Sequence, residues 1–202
     1  MAPELRGRWN HNIHYYPLTL DALPRPCSRA LDVGSGDGLL LRLLSPRCGH
    51  VVGIDSSAQM TEAARVRCAD LANVQVVAGD AASYPFEPGS FDLVTSHATI
   101  HHLDFVPALE RMAALLRPGG TLSVVSLANN ATVADWLISA AGVPTHRVLA
   151  LRHGYWQHNA PIADPTMTWR EVRRAAEVTL PGVRWRRHLL WRYSLTWVKP
   201  AS

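Results

Sequence analysis

The passage Leu31-Asp32-Val33-Gly34-Ser35-Gly36-Asp37-Gly38 constrains this chain more than any other: an apolar run breaks into alternating glycines and resumes at once as Leu39-Leu40-Leu41. Such a run reads as a strand, a tight turn and the start of a helix. Glycine suits the turn because it adopts positive φ and lets backbone lie against a ligand that side chains would hold off. The spacing is G-x-G-x-G, and Leu39 stands where a dinucleotide fingerprint has its last glycine, which argues against a nicotinamide dinucleotide.

Around this turn the chain alternates short apolar runs with helical patterns, the habit of a parallel sheet covered by helices. Residues 30–33, 51–54, 74–77, 91–96 and 121–127 are predicted strands. Residues 39–44 open a first helix and 58–69 form a second. A third starts near Asp104, a plausible N-cap, with Phe105, Leu109, Met112, Ala113 and Leu116 at helical spacing, and stops at Pro118, Gly119 and Gly120. Past Asn130 the pattern loosens into a helical stretch over 132–141 and a Pro-, His- and Trp-containing segment to Pro165, read as an insertion on the core. Thr168 and Glu171 form a T-x-x-E capping box for a last helix to about Leu180, which Pro181 and Gly182 end. Residues 183–190 and 193–198 then read as an antiparallel hairpin at the sheet edge, without a usual turn signature.

With 202 residues, 48% hydrophobic and 18% charged, and no linker-like stretch, one domain with a true core is expected and disorder is excluded as the main state. Residues 1–27 would be an N-terminal arm and 128–165 a lid over the site. Neither a signal peptide nor a run of about 20 apolar residues is visible, so a soluble, cytoplasmic protein without a membrane partner is expected, as a monomer or homodimer. Cys27, Cys48 and Cys68 make no CxxC pair, and no metal is expected. The net charge of +4 gathers late, at Arg184, Arg186, Arg187, His188 and Arg192, which reads either as a solvated strand face or as a surface for an acidic or nucleic-acid partner.

Asp55 ends the second strand 21 residues after Gly34, where a carboxylate can accept from two ribose hydroxyls. Asp80, in Gly79-Asp80-Ala81 after the third strand, can accept from an exocyclic adenine amine, and Met60 could pack against an adenine face. Each signal alone is weak, since a glycine loop often only joins a strand to a helix and such an aspartate is often only a cap. Their order on successive strand ends makes the joint signal strong.

On these residues the sequence resembles the class I S-adenosylmethionine-dependent methyltransferases. LDVGSGDG is similar to their first motif, VVGIDSS to the second, GDA to the third, FDLVTSHATIHHL to the fourth and LRPGGTL to the entry into strand five. The resemblance covers about Ser28 to Leu127 and implies an α/β, Rossmann-like sheet of seven strands, ordered 3-2-1-4-5-7-6, with strand 7 antiparallel and helices on both faces. It implies S-adenosylmethionine as cofactor and S-adenosylhomocysteine as product, with Asp32 and Gly34 near the methionine moiety, Asp55 at the ribose, and Asp80 with Ala81 at the adenine. Ser35, Gly36, Ser56 and Ser96, within the same motifs, complete the expected cofactor contacts. The lead-in Trp9-Asn10-His11-Asn12-Ile13-His14-Tyr15-Tyr16 is similar to that of bacterial small-molecule methyltransferases in which an aromatic arm covers the cofactor, so Tyr15 or Tyr16 would touch the methionine carboxylate or else pack under the first helix.

A sulfonium is a good methyl donor, so the protein's main task is to hold a nucleophile in line and exclude water. An oxygen or nitrogen acceptor must lose a proton, and His97, His101 and His102 follow the fourth strand. His97 and His101 are the candidate general bases, although the H-H-L turn is shared by family members with unrelated acceptors, which favours a structural role. Of seven tryptophans, Trp9, Trp136 and Trp156 could favour a cation, and the 128–165 segment, with Trp136, His146, His153, Tyr155, Trp156 and His158, would choose the acceptor. His97, Trp136 and Trp156 are the expected lining of the acceptor site. A small-molecule O- or N-methyltransferase is the leading reading, since no added RNA-binding domain is visible. An RNA or protein methyltransferase and a non-catalytic binder of the cofactor are the alternatives. Ser96-His97-Ala98-Thr99 stands where an N-P-P-Y-type motif would serve exocyclic amines, and no cysteine is there for cytosine C5.

Overall fold

The apolar runs become one seven-stranded sheet in the computed structural model, which describes residues 8–156 and 164–201. Its strands are β1 (Arg29–Val33), β2 (His50–Asp55), β3 (Val74–Ala78), β4 (Phe91–His97), β5 (Leu116–Ser126), β6 (Arg184–His188) and β7 (Arg192–Val198). The order is β3-β2-β1-β4-β5-β7-β6. The first five strands pair in parallel, while β7 runs antiparallel to both β5 and β6. The central strands are buried at nearly every position because both faces are covered.

Alternation divides the covering layers. Ala30, Val51 and Leu93 face Leu40, Leu41 and Leu44 of α3 (Leu39–Leu44), with Tyr16 and Leu20 of α2 (Tyr16–Ala22) packed alongside. Leu31, Val52 and Val94 face the other way, toward Phe105, Leu109 and Met112 of α5 (Phe105–Leu115) and Val172 and Ala176 of α7 (Trp169–Thr179). Each such fully buried Leu or Val contributes about 1.5–3 kcal/mol, so the two faces together hold the strand ends that form the site. The remaining helices are α1 (His11–His14), α4 (Ala58–Arg67) and α6 (Val133–His153).

Three elements depart from the sequence expectation. First, α5 stops at Leu115, and Leu116 already belongs to β5. Phe91 pairs with Leu116 but Leu93 with Thr121, so three extra residues bulge from β5, with Gly119 at φ 76°. Lys199 closes the gap, its Nζ donating to the carbonyls of Leu116 at 2.7 Å and Ala113 at 3.1 Å at the helix end. Second, the helix expected over 132–141 runs to His153, through Gly142 and Pro144. Pro144 forfeits one bond, to Ala140, and both residues lie on the solvent side where water can take the carbonyl. Gly142 is required by contact: a Cβ there would lie 2.8 Å from the Leu189 carbonyl. Thr132 and Asp135 cap this helix with the same reciprocal box that Thr168 and Glu171 give α7. Third, the hairpin turns on three residues, His188 pairing with Arg192, and the left-handed position falls to Trp191 at φ 54°. Its indole donates to Ser139 O of α6 at 3.0 Å, which holds the turn in place.

Candidate functional site

The glycine turn is tied to the neighbouring strand: Gly34 N and Ser35 N both donate to Ile54 O, at 2.8 and 3.1 Å. Gly34, Gly36 and Gly38 have φ of 75°, 53° and 80°. Gly34 is also forced by space, since a Cβ would stand 2.0 Å from Thr99 Oγ1. Thr99 reaches it because Ala98 takes a left-handed φ of 51° after β4 and folds the chain back over the turn. Nothing in the sequence marks Thr99 or the strained Ala98; only the packing shows them.

Asp55 Oδ2 accepts from Gly36 N and its Oδ1 from Ser57 N, both at 2.9 Å. Each oxygen keeps a second lone pair, enough for two further donors such as a vicinal diol. Asp80, exposed after β3, accepts from Ala82 N at 2.9 Å, with Ala81 half-buried beside it. Ser56 is exposed at the end of β2, and Met60 is buried one turn into α4. Asp32, Ser35 and Ser96 are buried, and Asp32 Oδ1, Ser35 Oγ and Ser96 Oγ have no hydrogen-bond partner among the described residues. Burial, and then the charge of Asp55, push the Asp32 carboxyl up to about 8. A buried acid oxygen left without a donor gains from any cationic donor brought to it. These groups fit an adenosyl sulfonium carrying an α-ammonium, a ribose diol and an adenine amine.

The two tyrosines of the arm diverge. The Tyr15 hydroxyl accepts from Leu190 N at 3.2 Å and its ring lies 4.9 Å from His188, so Tyr15 faces the hairpin and not the cofactor as expected. Tyr16 faces the turn instead: burial, then the charges of Asp32 and Asp37, push the pKa of its phenol well above the usual tyrosine value, and its ring meets His97 edge-on at 5.0 Å.

His97 lies under α2. Its Nε2 is 2.7 Å from Thr19 Oγ1, which is also 2.7 Å from Ser123 Oγ, while its Nδ1 is buried without a partner. Burial, then the charge of Arg192, hold this imidazole down at about 3, so it is neutral at pH 7. His101 is half-buried in a 3-10 turn, Ile100–His102, with Nδ1 3.1 Å from Ser126 Oγ and its ring 4.1 Å from that of His102. It edges a cavity of about 270 Å³ walled by Ile100, Leu103, Phe105, Leu127 and Met167, at the carboxyl ends of β4 and β5. No lysine or arginine lines it.

Neither Trp136 nor Trp156 lines this cavity. Trp136 is exposed on α6, because the face of that helix turned inward is the one bearing Ser139 and Gly142. Trp156 N donates to Trp9 O at 2.8 Å, tying the end of the α6 segment to the arm. There Trp9, His11, His146, Tyr155 and Trp191 form an aromatic cluster, with His11 Nε2 2.9 Å from His146 Nδ1. Burial and the charges of Arg192, His146 and His14 hold His11 down at about 4. Among the described residues no three His, Cys, Asp or Glu side chains converge as metal ligands. His158 lies outside the described residues.

Comparison with known proteins agrees with this geometry. The family model described as a methyltransferase domain matches residues 31–124. An uncharacterized methyltransferase of Mycobacterium tuberculosis is 37% identical over 200 residues, covering 95% of this chain and 98% of its own length. A demethylmenaquinone methyltransferase of Staphylococcus aureus is 40% identical over 115 residues, 54% of this chain and 47% of that one, so the match spans about half of each. Among solved structures, phosphoethanolamine N-methyltransferase 2 of Haemonchus contortus, in complex with phosphomonomethylethanolamine and S-adenosylhomocysteine, aligns with a TM-score of 0.67 at 18% identity, over 93% of this chain and 53% of that chain. A SAM-dependent methyltransferase of Aquifex aeolicus aligns with a TM-score of 0.63 at 19% identity, over 91% and 88%. At these identities the structures speak to the fold.

Proposed function

The chain belongs to the class I S-adenosylmethionine-dependent methyltransferases, and from that premise we propose that it methylates an oxygen or nitrogen of a small molecule held in the cavity beside His101. The observation that carries this reading is the cavity itself. At about 270 Å³, with mostly apolar walls, Asp104 at its edge and no lysine or arginine in its lining, it suits a compact acceptor better than a polynucleotide or a protein segment. The names of relatives agree in kind, since demethylmenaquinone and phosphomonomethylethanolamine are small molecules.

The cofactor, when bound, supplies a sulfonium methyl open to displacement. Asp55 would take the ribose diol, Asp32 the α-ammonium, and Asp80 with Ala81 the adenine edge, with Met60 packed near the ring. Gly34, Ser35 and Gly36 would bring backbone against the ligand, with Ser56 and Ser96 at the flanking strand ends and Tyr16 closing the arm side. Of the expected arm and lid, residues 8–27 would cover the cofactor side and residues 128–156 with 164–165 would serve as the lid over the site, the rest of both segments lying outside the described residues.

In this reading His101 would take the acceptor's proton as the acceptor's oxygen or nitrogen bonds to the methyl carbon and the methyl–sulfur bond breaks, its electron pair staying on the sulfur of S-adenosylhomocysteine. His101 edges the cavity, is half-buried and is oriented by Ser126. His97 is a weak base at about 3 and serves as a positioning residue between Thr19 and β5. The test is methyl transfer from labelled cofactor to a panel of phenols, amines and heteroaromatics. A labelled small-molecule product is expected; label found only in RNA or protein would overturn the proposal.

A further inference from the structure

Helix α6 is laid against the protein in reverse. At about 100° per residue its 21 residues resolve into an inward face of Asp135, Ser139, Gly142 and His146 and an outward stripe of Val133, Leu137, Ala140, Pro144, Val148 and Leu151. The small and polar residues are turned to the core: Ser139 and Gly142 are buried, and Gly142 lets the helix approach the Leu189 carbonyl. Leu149 packs beside them against Trp9 and Leu190, but the large apolar residues of the outward stripe are in water, with Val133 77%, Leu137 68% and Leu151 88% exposed. An apolar stripe of this size is an interaction surface, since monomers rarely leave one in water.

The α6 charges that flank the stripe have one sign. Arg147 lies on one shoulder, beside the exposed Trp136, and Arg152 lies on the other, both exposed. The helix has one acid, Asp135, and it is turned inward, with Oδ1 on Arg187 Nη1 at 2.5 Å. Two-fold pairing through this face would set arginines against arginines with no acid of α6 to offset them. A polyanion such as RNA would engage the arginines and leave the stripe in water. A leaflet with anionic headgroups satisfies both: the stripe enters the acyl boundary, Trp136 sits at headgroup level and the arginines meet phosphate. No helix among the described residues is long and apolar enough to cross a membrane, so α6 would lie in the interface plane.

We propose that the outward face of α6 docks the protein on an anionic lipid surface. The juxtaposition that carries this is an exposed aliphatic stripe flanked by Arg147 and Arg152 with the helix's acid withdrawn. It stands independently of which acceptor is methylated.

The test is flotation of the full chain with vesicles of phosphatidylcholine alone and of phosphatidylcholine mixed with phosphatidylglycerol. Binding to the mixed vesicles, weakened by salt, is expected. The double substitution Leu137→Glu with Leu151→Glu should lower it at least about tenfold, because it puts carboxylates where acyl chains would be. Arg147→Gln with Arg152→Gln should lower it and flatten the salt dependence. These positions are exposed, and unchanged thermal unfolding of both variants would show that the loss is not one of folding. Absence of wild-type binding to the mixed vesicles, or equal binding by the glutamate variant, would overturn the proposal. So would a wild-type dimer in sedimentation that the glutamate variant abolishes, which would assign the face to a second copy, or retention on RNA in place of vesicles.

Discussion

Replacing Gly34 with alanine sets a methyl group where Thr99 already stands. The new Cβ would lie 2.0 Å from Thr99 Oγ1, 2.3 Å from its Cγ2 and 2.5 Å from its Cβ, with φ held at +75°. The left-handed backbone costs a non-glycine residue about 1–2 kcal/mol. Forcing extra volume into the contact costs about 1–3 kcal/mol more. Together the substitution should destabilise by about 2–5 kcal/mol, which for a chain of this length lowers Tm by roughly 4–20 °C. Because even the Thr99 Cβ is in the way, Thr99→Ala cannot relieve the overlap and Thr99→Gly can. The decisive experiment is a double-mutant cycle of Gly34→Ala and Thr99→Gly in denaturant unfolding, with a coupling of about 1–3 kcal/mol in favour of the pair. A Gly34→Ala variant as stable as the parent, or a cycle that closes with no coupling, would refute the reasoning that Thr99 and the turn share one packed contact.

Other outcomes follow from the same site. Asp55→Ala removes two acceptors of a ribose diol, each worth about 1.5–3 kcal/mol as a charge-assisted bond, so calorimetry should show affinity for S-adenosylhomocysteine weakened by at least about 10²-fold. Asp32 is held at about 8 by burial and by Asp55, above the unfolded value of 3.8, so the folded state binds the extra proton between those limits. Stability should therefore fall as pH rises from about 4 to about 8, and Asp32→Asn should remove that slope in denaturant titrations. Gly142→Ala brings a Cβ within 2.8 Å of Leu189 O; the clash of about 1–3 kcal/mol should outweigh the helix preference of about 1 kcal/mol for alanine, leaving a net loss in thermal unfolding. Once an acceptor is identified, His101→Ala should lower kcat by about 10²-fold or more, whereas unchanged kcat would remove His101 from proton transfer.

The positions of the parallel strands were legible because each holds a short apolar run bounded by turn residues, whereas their order came from the family resemblance, which the sheet bears out. Asp32, Asp55 and Asp80 were legible because each ends or follows a strand at the carboxyl edge of the sheet. What was hidden depends on contacts between distant segments. The helix expected over 132–141 continues through Gly142 and Pro144, because Gly142 fits against Leu189 and Pro144 is tolerated on an open outer face. Tyr15 and Tyr16 are adjacent, and only the seat of Leu190 decides which faces the turn. Ala98 and Trp191 hold left-handed positions that composition would assign to glycine, so the turns over Gly34 and into β7 had no local signal. Trp136 was expected in the acceptor site because tryptophan is a good cavity wall, but the direction of α6 is set by Ser139 and Gly142.

The central claim is that one nucleoside sulfonium lies across the glycine turn with its reacting end toward the His101 cavity. A crystal structure of the protein with S-adenosylhomocysteine tests it most directly. The ribose hydroxyls should both rest on Asp55, the ammonium should meet Asp32, and the sulfur should open toward Ile100 and His101. A nucleoside seated elsewhere, or a sulfur sealed against protein with no path to that cavity, would contradict the account.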